Sequence, residues 1–144
     1  MSTNAHVHQP AEHGTGAWLR YTLIVLALEK CVQHVVVSLA FFFNWKDISS
    51  TVVVSPAALL VLGAVAAGLF MVTLWGLVKR RRWAADLAIG LALFDIVGEF
   101  VAQGTLGIAL TVSFLVAALL LVLALAYRRQ IRHTVAHPDV ARRM

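Results

Sequence analysis

Four long apolar stretches dominate the chain, and polar residues collect in the gaps between them. The stretches lie near residues 18–43, 56–78, 83–103 and 105–127. Crossing a hydrocarbon core of ~30 Å takes roughly 20 helical residues, and each stretch is long enough. The connections are short apart from Asn44–Ser55, and short connections make successive helices antiparallel neighbours. The pattern therefore predicts an all-α integral membrane protein, a four-transmembrane-helix up-down bundle. Ser55-Pro56 is a helix start, with Ser as N-cap and Pro at the first helical position. Gly63, Ala64, Ala67 and Gly68 in the second stretch permit close backbone approach. Residues 1–17 are polar and His-rich and are expected to form a flexible tail. Residues 128–144 form a basic tail in which Pro138 stops any helix running out of the fourth stretch.

Composition strengthens the membrane assignment. Of 144 residues, 60% are hydrophobic and 13% are charged, against about a quarter charged in a soluble domain. The mean hydropathy is +0.83. The net charge of +5 could suggest nucleic acid, but its distribution points to a bilayer instead. Lys79, Arg80, Arg81 and Arg82 separate the second and third stretches, and Arg128, Arg129 and Arg132 follow the fourth. Basic segments beside membrane spans stay on the cytoplasmic side, which places both termini inside, in agreement with Arg20. Their expected partners are anionic lipids. Trp18, Trp45, Trp75 and Trp83 fall at span ends, with Tyr21 and Tyr127 close to ends, as an aromatic belt requires. The first span is too long and too charged for a cleavable signal peptide, and no A-x-A-like site follows it. The single Cys31 excludes an intrachain disulfide and a cysteine-based metal site, and reads as a small packing residue.

Several ionisable residues interrupt the apolar stretches. Asp95 and Glu99 are one turn apart and share a face. With Ala85, Ala88, Ala92 and Gln103 they form a seam along one side of the third helix. Leu87, Leu91, Phe94 and Val101 make the opposite, lipid-facing side. On the first helix Lys30 and His34 are one turn apart, and Glu29 and Gln33 form a second such pair. Counted from Arg20, Lys30 is ~15 Å deep and His34 ~21 Å; counted from Trp83, Asp95 is ~18 Å and Glu99 ~24 Å. Spacing, direction and depth match to within a turn. The expected arrangement pairs Lys30 with Asp95 and sets His34 against Glu99 across an interface between the first and third helices. Glu29 has no cationic counterpart, so it is protonated, bonded to Gln33, or exposed to a polar cavity.

Two kinds of function follow. Intramembrane charges can be glue that orients helices, and they also mark ion and proton pathways. Glu29, Asp95, Glu99, His34, Lys30 and Gln33 are the relay candidates, with Glu29 as a carrier carboxyl able to exchange protons with a transported cation. Glu29, His34, Asp95 and Glu99 are also suitable metal ligands by type, but Lys30 among them already supplies a cation, so no metal site is assigned. His34 has no second intramembrane histidine for a bis-His haem within one chain. The tail residues His6, His8, His13, His133 and His137 read as solvated. No cofactor is indicated by motif. No HExxH, GxSxG, P-loop or CxxC occurs, and Ser38, Thr73, Thr111 and Ser113 are expected to bond back to their own helices.

The segment GLVKRRRWAADLAIGLALFDIVGEFVAQ, Gly76 to Gln103, resembles a pattern in small, uncharacterised four-span bacterial membrane proteins. There a Gly-Leu closes the second span, a basic turn ends in Arg-Trp-Ala, and a glutamate follows inside the third span, where Glu99 falls. The resemblance implies a four-span fold in a bacterial cytoplasmic membrane. The leading functional expectation is a non-enzymatic subunit or scaffold that packs against partner helices or itself. The alternative is a proton- or cation-coupled transporter working as a homo-oligomer, with Glu29 as carrier and Asp95 and Glu99 along its path.

Overall fold

The structure is a computed structural model and describes residues 13–50, 54–103 and 112–136. Within them are four α-helices: α1 (His13–Phe42), α2 (Pro56–Val78), α3 (Trp83–Gln103) and α4 (Val112–Ala136), with a short 3-10 turn over Trp45–Ser50 after α1. Three of them, α1, α2 and α4, are long and apolar enough to cross a membrane, which fits a small integral membrane protein. Helix α3 is 21 residues long but carries Asp86, Asp95 and Glu99.

Two helices extend beyond the stretches read from hydrophobicity. Helix α1 begins at His13, inside the segment assigned to the tail, and α4 continues past Tyr127 through Arg128, Arg129 and Arg132 to Ala136. Arginine is a good helix former, so in α4 the change from apolar to basic composition marks a change of environment without ending the helix. The short connection expected between the third and fourth stretches, and the start of the fourth, fall largely outside the described residues. Pro56 occupies the first turn of α2 as expected, while the Ser55 side chain makes no capping bond. The other end of α2 closes through its backbone. Arg81 N–H donates to Gly76 O at 2.8 Å and Arg80 N–H to Leu77 O at 3.2 Å, the paired bonds of a Schellman cap. Arg80 takes the left-handed conformation that this cap needs, with φ 55°.

Helix neighbours run α1–α2–α3–α4 and back to α1, which leaves α1 and α3 diagonal. The expected α1–α3 interface is thus a contact of long side chains across the bundle axis, not of adjacent helices. The interior is built from small residues: Ala27, Ala66, Ala67, Ala84, Ala85, Ala88, Ala92, Ala117 and Ala124 are all buried. Large apolar side chains such as Val25, Leu28, Val61, Val72, Val97 and Val122 point outward. In water this distribution would be unfavourable, whereas in a bilayer the outward residues meet lipid and small interior residues let helices pack closely. Leu91 is buried, contrary to its expected lipid-facing position, because the α2–α3 contact covers it. Tyr127 is also buried in the core cluster and does not join the belt. Trp18, Tyr21, Trp75 and Trp83 remain exposed. Trp75 and Trp83 lie 6.3 Å apart across the α2–α3 turn.

Candidate functional site

The buried face of α1 repeats at Leu23, Ala27, Lys30 and Cys31, with partly buried His34 one turn beyond, the three-and-four spacing of a packed helical stripe. Lysine therefore occupies a core position. It is the largest fully buried side chain among the described residues. By helical rise it lies ~18 Å from both Trp18 and Phe42, at mid-span. Its ammonium has three protons, and its surroundings offer matching acceptors. Lys30 Nζ donates to Gln33 Oε1 at 2.9 Å, to Ser113 O at 2.9 Å and to Ser113 Oγ at 3.1 Å. It also forms an ion pair with Asp95 Oδ2 at 3.2 Å. One lysine thus ties α1 to both α3 and α4.

Asp95 is shared. Its Oδ1 lies 2.9 Å from His34 Nε2. A carboxylate can only accept, so Nε2 carries the proton in this contact. The expectation that His34 would take Glu99 as partner is therefore corrected: its Nε2 goes to the same carboxylate that holds Lys30. The reason is geometric. His34 stacks on buried Phe70 with centroids 5.5 Å apart, and its ring points across the axis at Asp95. Asp95 Oδ2 is buried, with the Lys30 ammonium 3.2 Å away.

Gln33 was expected beside Glu29, but its side-chain oxygen serves Lys30. Glu29 is exposed on the outer face of α1, among the exposed Val25, Leu28, Val32 and Val36. It has no side-chain partner among the described residues. The hydroxyls divide in the same way. Thr73 Oγ1 bonds back to Leu69 O at 2.9 Å as expected, whereas Ser113 accepts from Lys30 instead. Ser38 Oγ is buried without a partner among the described residues, and Thr111 lies outside them. Cys31 Sγ packs 3.5 Å from Ala67 O, a packing role between α1 and α2.

Above the ion pair, in the half of the bundle nearer the α1–α2 connection, is a cavity of about 200 Å³. Gln33, His34, Asp95, Glu99 and Ser113 supply its polar lining. Glu29 is not part of it, so Glu29, Asp95 and Glu99 do not line one path within a single chain. Among the described residues no three His, Cys, Asp or Glu side chains converge to hold a metal ion.

The basic residues gather at the opposite end. Lys79, Arg80, Arg81 and Arg82 are exposed in the α2–α3 turn, and Arg129 and Arg132 are exposed on α4. Arg128 Nε pairs with Asp86 Oδ1 at 2.6 Å. Arg20 lies over Tyr21 at 5.0 Å. No family model, curated protein or solved structure matches the chain.

Proposed function

We propose that this chain is a non-enzymatic four-span subunit of a membrane assembly, and that a partner helix docks on the outer face of α1 at Glu29. The observation that carries the reading is the position of Glu29 in an exposed apolar stripe at mid-span. A carboxylate at the bilayer centre costs about 2.5–3.5 kcal/mol on insertion scales. A hydrogen-bond donor on a neighbouring helix would offset that cost and fix the docking register.

The fourth span in this reading is α3, whose 21 residues reach ~31 Å. Two of its three charges are matched by cations. Asp95 is matched by Lys30, and Asp86 stands at the basic end beside Arg128. With the basic end cytoplasmic, the chain is multi-pass with both termini inside, in a bacterial cytoplasmic membrane as its resemblance implies. Anionic lipids then surround the exposed arginines.

The alternative, proton or cation transport by a homo-oligomer, draws on the cavity beside His34 and Asp95. The two readings separate in one preparation. Wild type and Glu29→Leu are purified in mild detergent, and wild type and Glu29→Gln are reconstituted for proton flux. A stoichiometric foreign polypeptide that is lost in Glu29→Leu supports the subunit. A homo-oligomer whose proton flux disappears in Glu29→Gln overturns it in favour of transport.

A further inference from the structure

We infer that the cavity beside the ion pair is a binding site for a small amphipathic amine, independent of any docking at Glu29. Its walls are Val37 and Phe41 of α1, Leu59 and Leu62 of α2, and Phe94 of α3. At about 200 Å³ it is smaller than the roughly 300–1,000 Å³ of drug-sized sites. Apolar walls with a few converging polar groups are the general form of a ligand pocket.

The polar groups select the charge. Two carboxylates, Asp95 and Glu99, face the cavity together with His34, and among the described residues no lysine or arginine lines it. Lys30 lies behind, hydrogen-bonded to Gln33 and Ser113 and ion-paired with Asp95. The Asp95 side chain is only 6% exposed and is already held by Lys30 Nζ at 3.2 Å and His34 Nε2 at 2.9 Å, so Glu99 is the carboxylate that a ligand would meet. A ligand N⁺–H would form a charge-assisted hydrogen bond there. The apolar walls, and the failure of three ligating side chains to converge among the described residues, favour an organic cation over a metal ion.

Gly98 supports the assignment. Glycine in a helix interior is destabilising and is usually explained by close packing. Gly63 and Gly76 have that explanation: a Cβ would lie 2.6 Å from Ser38 Oγ at the first and 2.7 Å from the Trp83 ring at the second. A Cβ at Gly98, as at Gly68 and Gly90, would meet nothing within 4 Å, and of these three Gly98 is the one that lines this cavity. Gly98 shares one face of α3 with Phe94, Asp95 and Glu99, and all four line the cavity. What the missing side chain does is keep the space open. Leu62 and Phe94 also border an apolar groove between α2 and α3 that includes Leu69, Leu87 and Gly90. That groove gives an apolar body a route from the surrounding lipid.

The test uses the full-length protein in lipid nanodiscs, titrated calorimetrically against empty discs. The probe is 2-phenylethylamine, with 2-phenylethanol as its neutral counterpart. Wild type is expected to bind the amine saturably and at least ten-fold more tightly than the alcohol. Glu99→Gln should weaken binding at least ten-fold, Gly98→Leu should abolish it by filling the space, and Glu29→Gln should leave it unchanged. Equal uptake of amine and alcohol, or equal amine binding by Gly98→Leu and wild type, overturns the proposal. If Gly98→Leu does not fold, Phe41→Trp provides a second readout. Saturable fluorescence change with the amine supports the site, and its absence overturns it.

Discussion

The two halves of this bundle are built differently. Toward the basic end, Leu23, Ala27, Leu77, Ala84, Ala85, Ala88, Leu120 and Ala124 close into a buried apolar core. Toward the α1–α2 connection, the same four helices enclose His34, Asp95, Glu99, Ser113 and a cavity. Lys30 marks the boundary between them. The first half is held by close-packed alanines and a few leucines. The second leaves polar groups beside unfilled space, an arrangement that packing alone would not require. The packed core and the polar cavity are thus separated along the bundle axis, and the ion pair lies between them.

Breaking that boundary should have the largest effect. Lys30→Met leaves the Asp95 carboxylate buried without its countercharge, and removing one member of a buried pair costs about 3–5 kcal/mol. Unfolding in mixed micelles by a denaturing detergent would measure it. Lys30→Met combined with Asp95→Leu should recover much of the loss, because no isolated charge remains. Strictly additive costs would show that the 3.2 Å contact contributes no coupling.

The comparison sharpens when the two halves receive similar changes. Ala88 is fully buried, so Ala88→Leu overpacks the core half at about 1–3 kcal/mol. Gly98 borders open space, so Gly98→Ala should instead stabilise by about 0.5–1 kcal/mol through helix propensity. The same unfolding assay reads both. Opposite signs would show that the halves differ in packing, and equal destabilisation would remove the distinction.

Much of this contrast was legible from spacing, and the limits of that reading are physical. The start of α2 at Pro56 and the break between α2 and α3 at the basic turn are local backbone features. Depth matching brings Lys30 level with Asp95 because helical rise is constant. It says nothing about rotation of a helix about its axis, and so could not show that His34 reaches Asp95 or that Gln33 turns from Glu29 toward Lys30. Ser113 was beyond reach for the same reason, since it serves Lys30 only through the azimuth of α4. The diagonal relation of α1 and α3 depends on how four helices close into a ring. The cavity is a property of all four helices together, and Gly98 was its single local trace.

The smallest effect belongs to the pair at the basic end, and its two partners should not behave alike. Arg128 and Asp86 are 2.6 Å apart, with side chains 38% and 56% exposed. Exposed pairs contribute roughly 0.2–1 kcal/mol, and salt screens them. Arg128→Gln should therefore cost no more than the low end of that range, and less still in high salt. Asp86 also stands in the first turn of α3, where a negative charge is favoured by the unsatisfied backbone N–H groups at the helix start. Asp86→Asn removes both contributions and should cost more than Arg128→Gln in the same assay. Equal costs for the two would assign the whole effect to the ion pair and none to the start of α3. A larger cost for Arg128→Gln would instead point to a contact of the guanidinium with lipid headgroups.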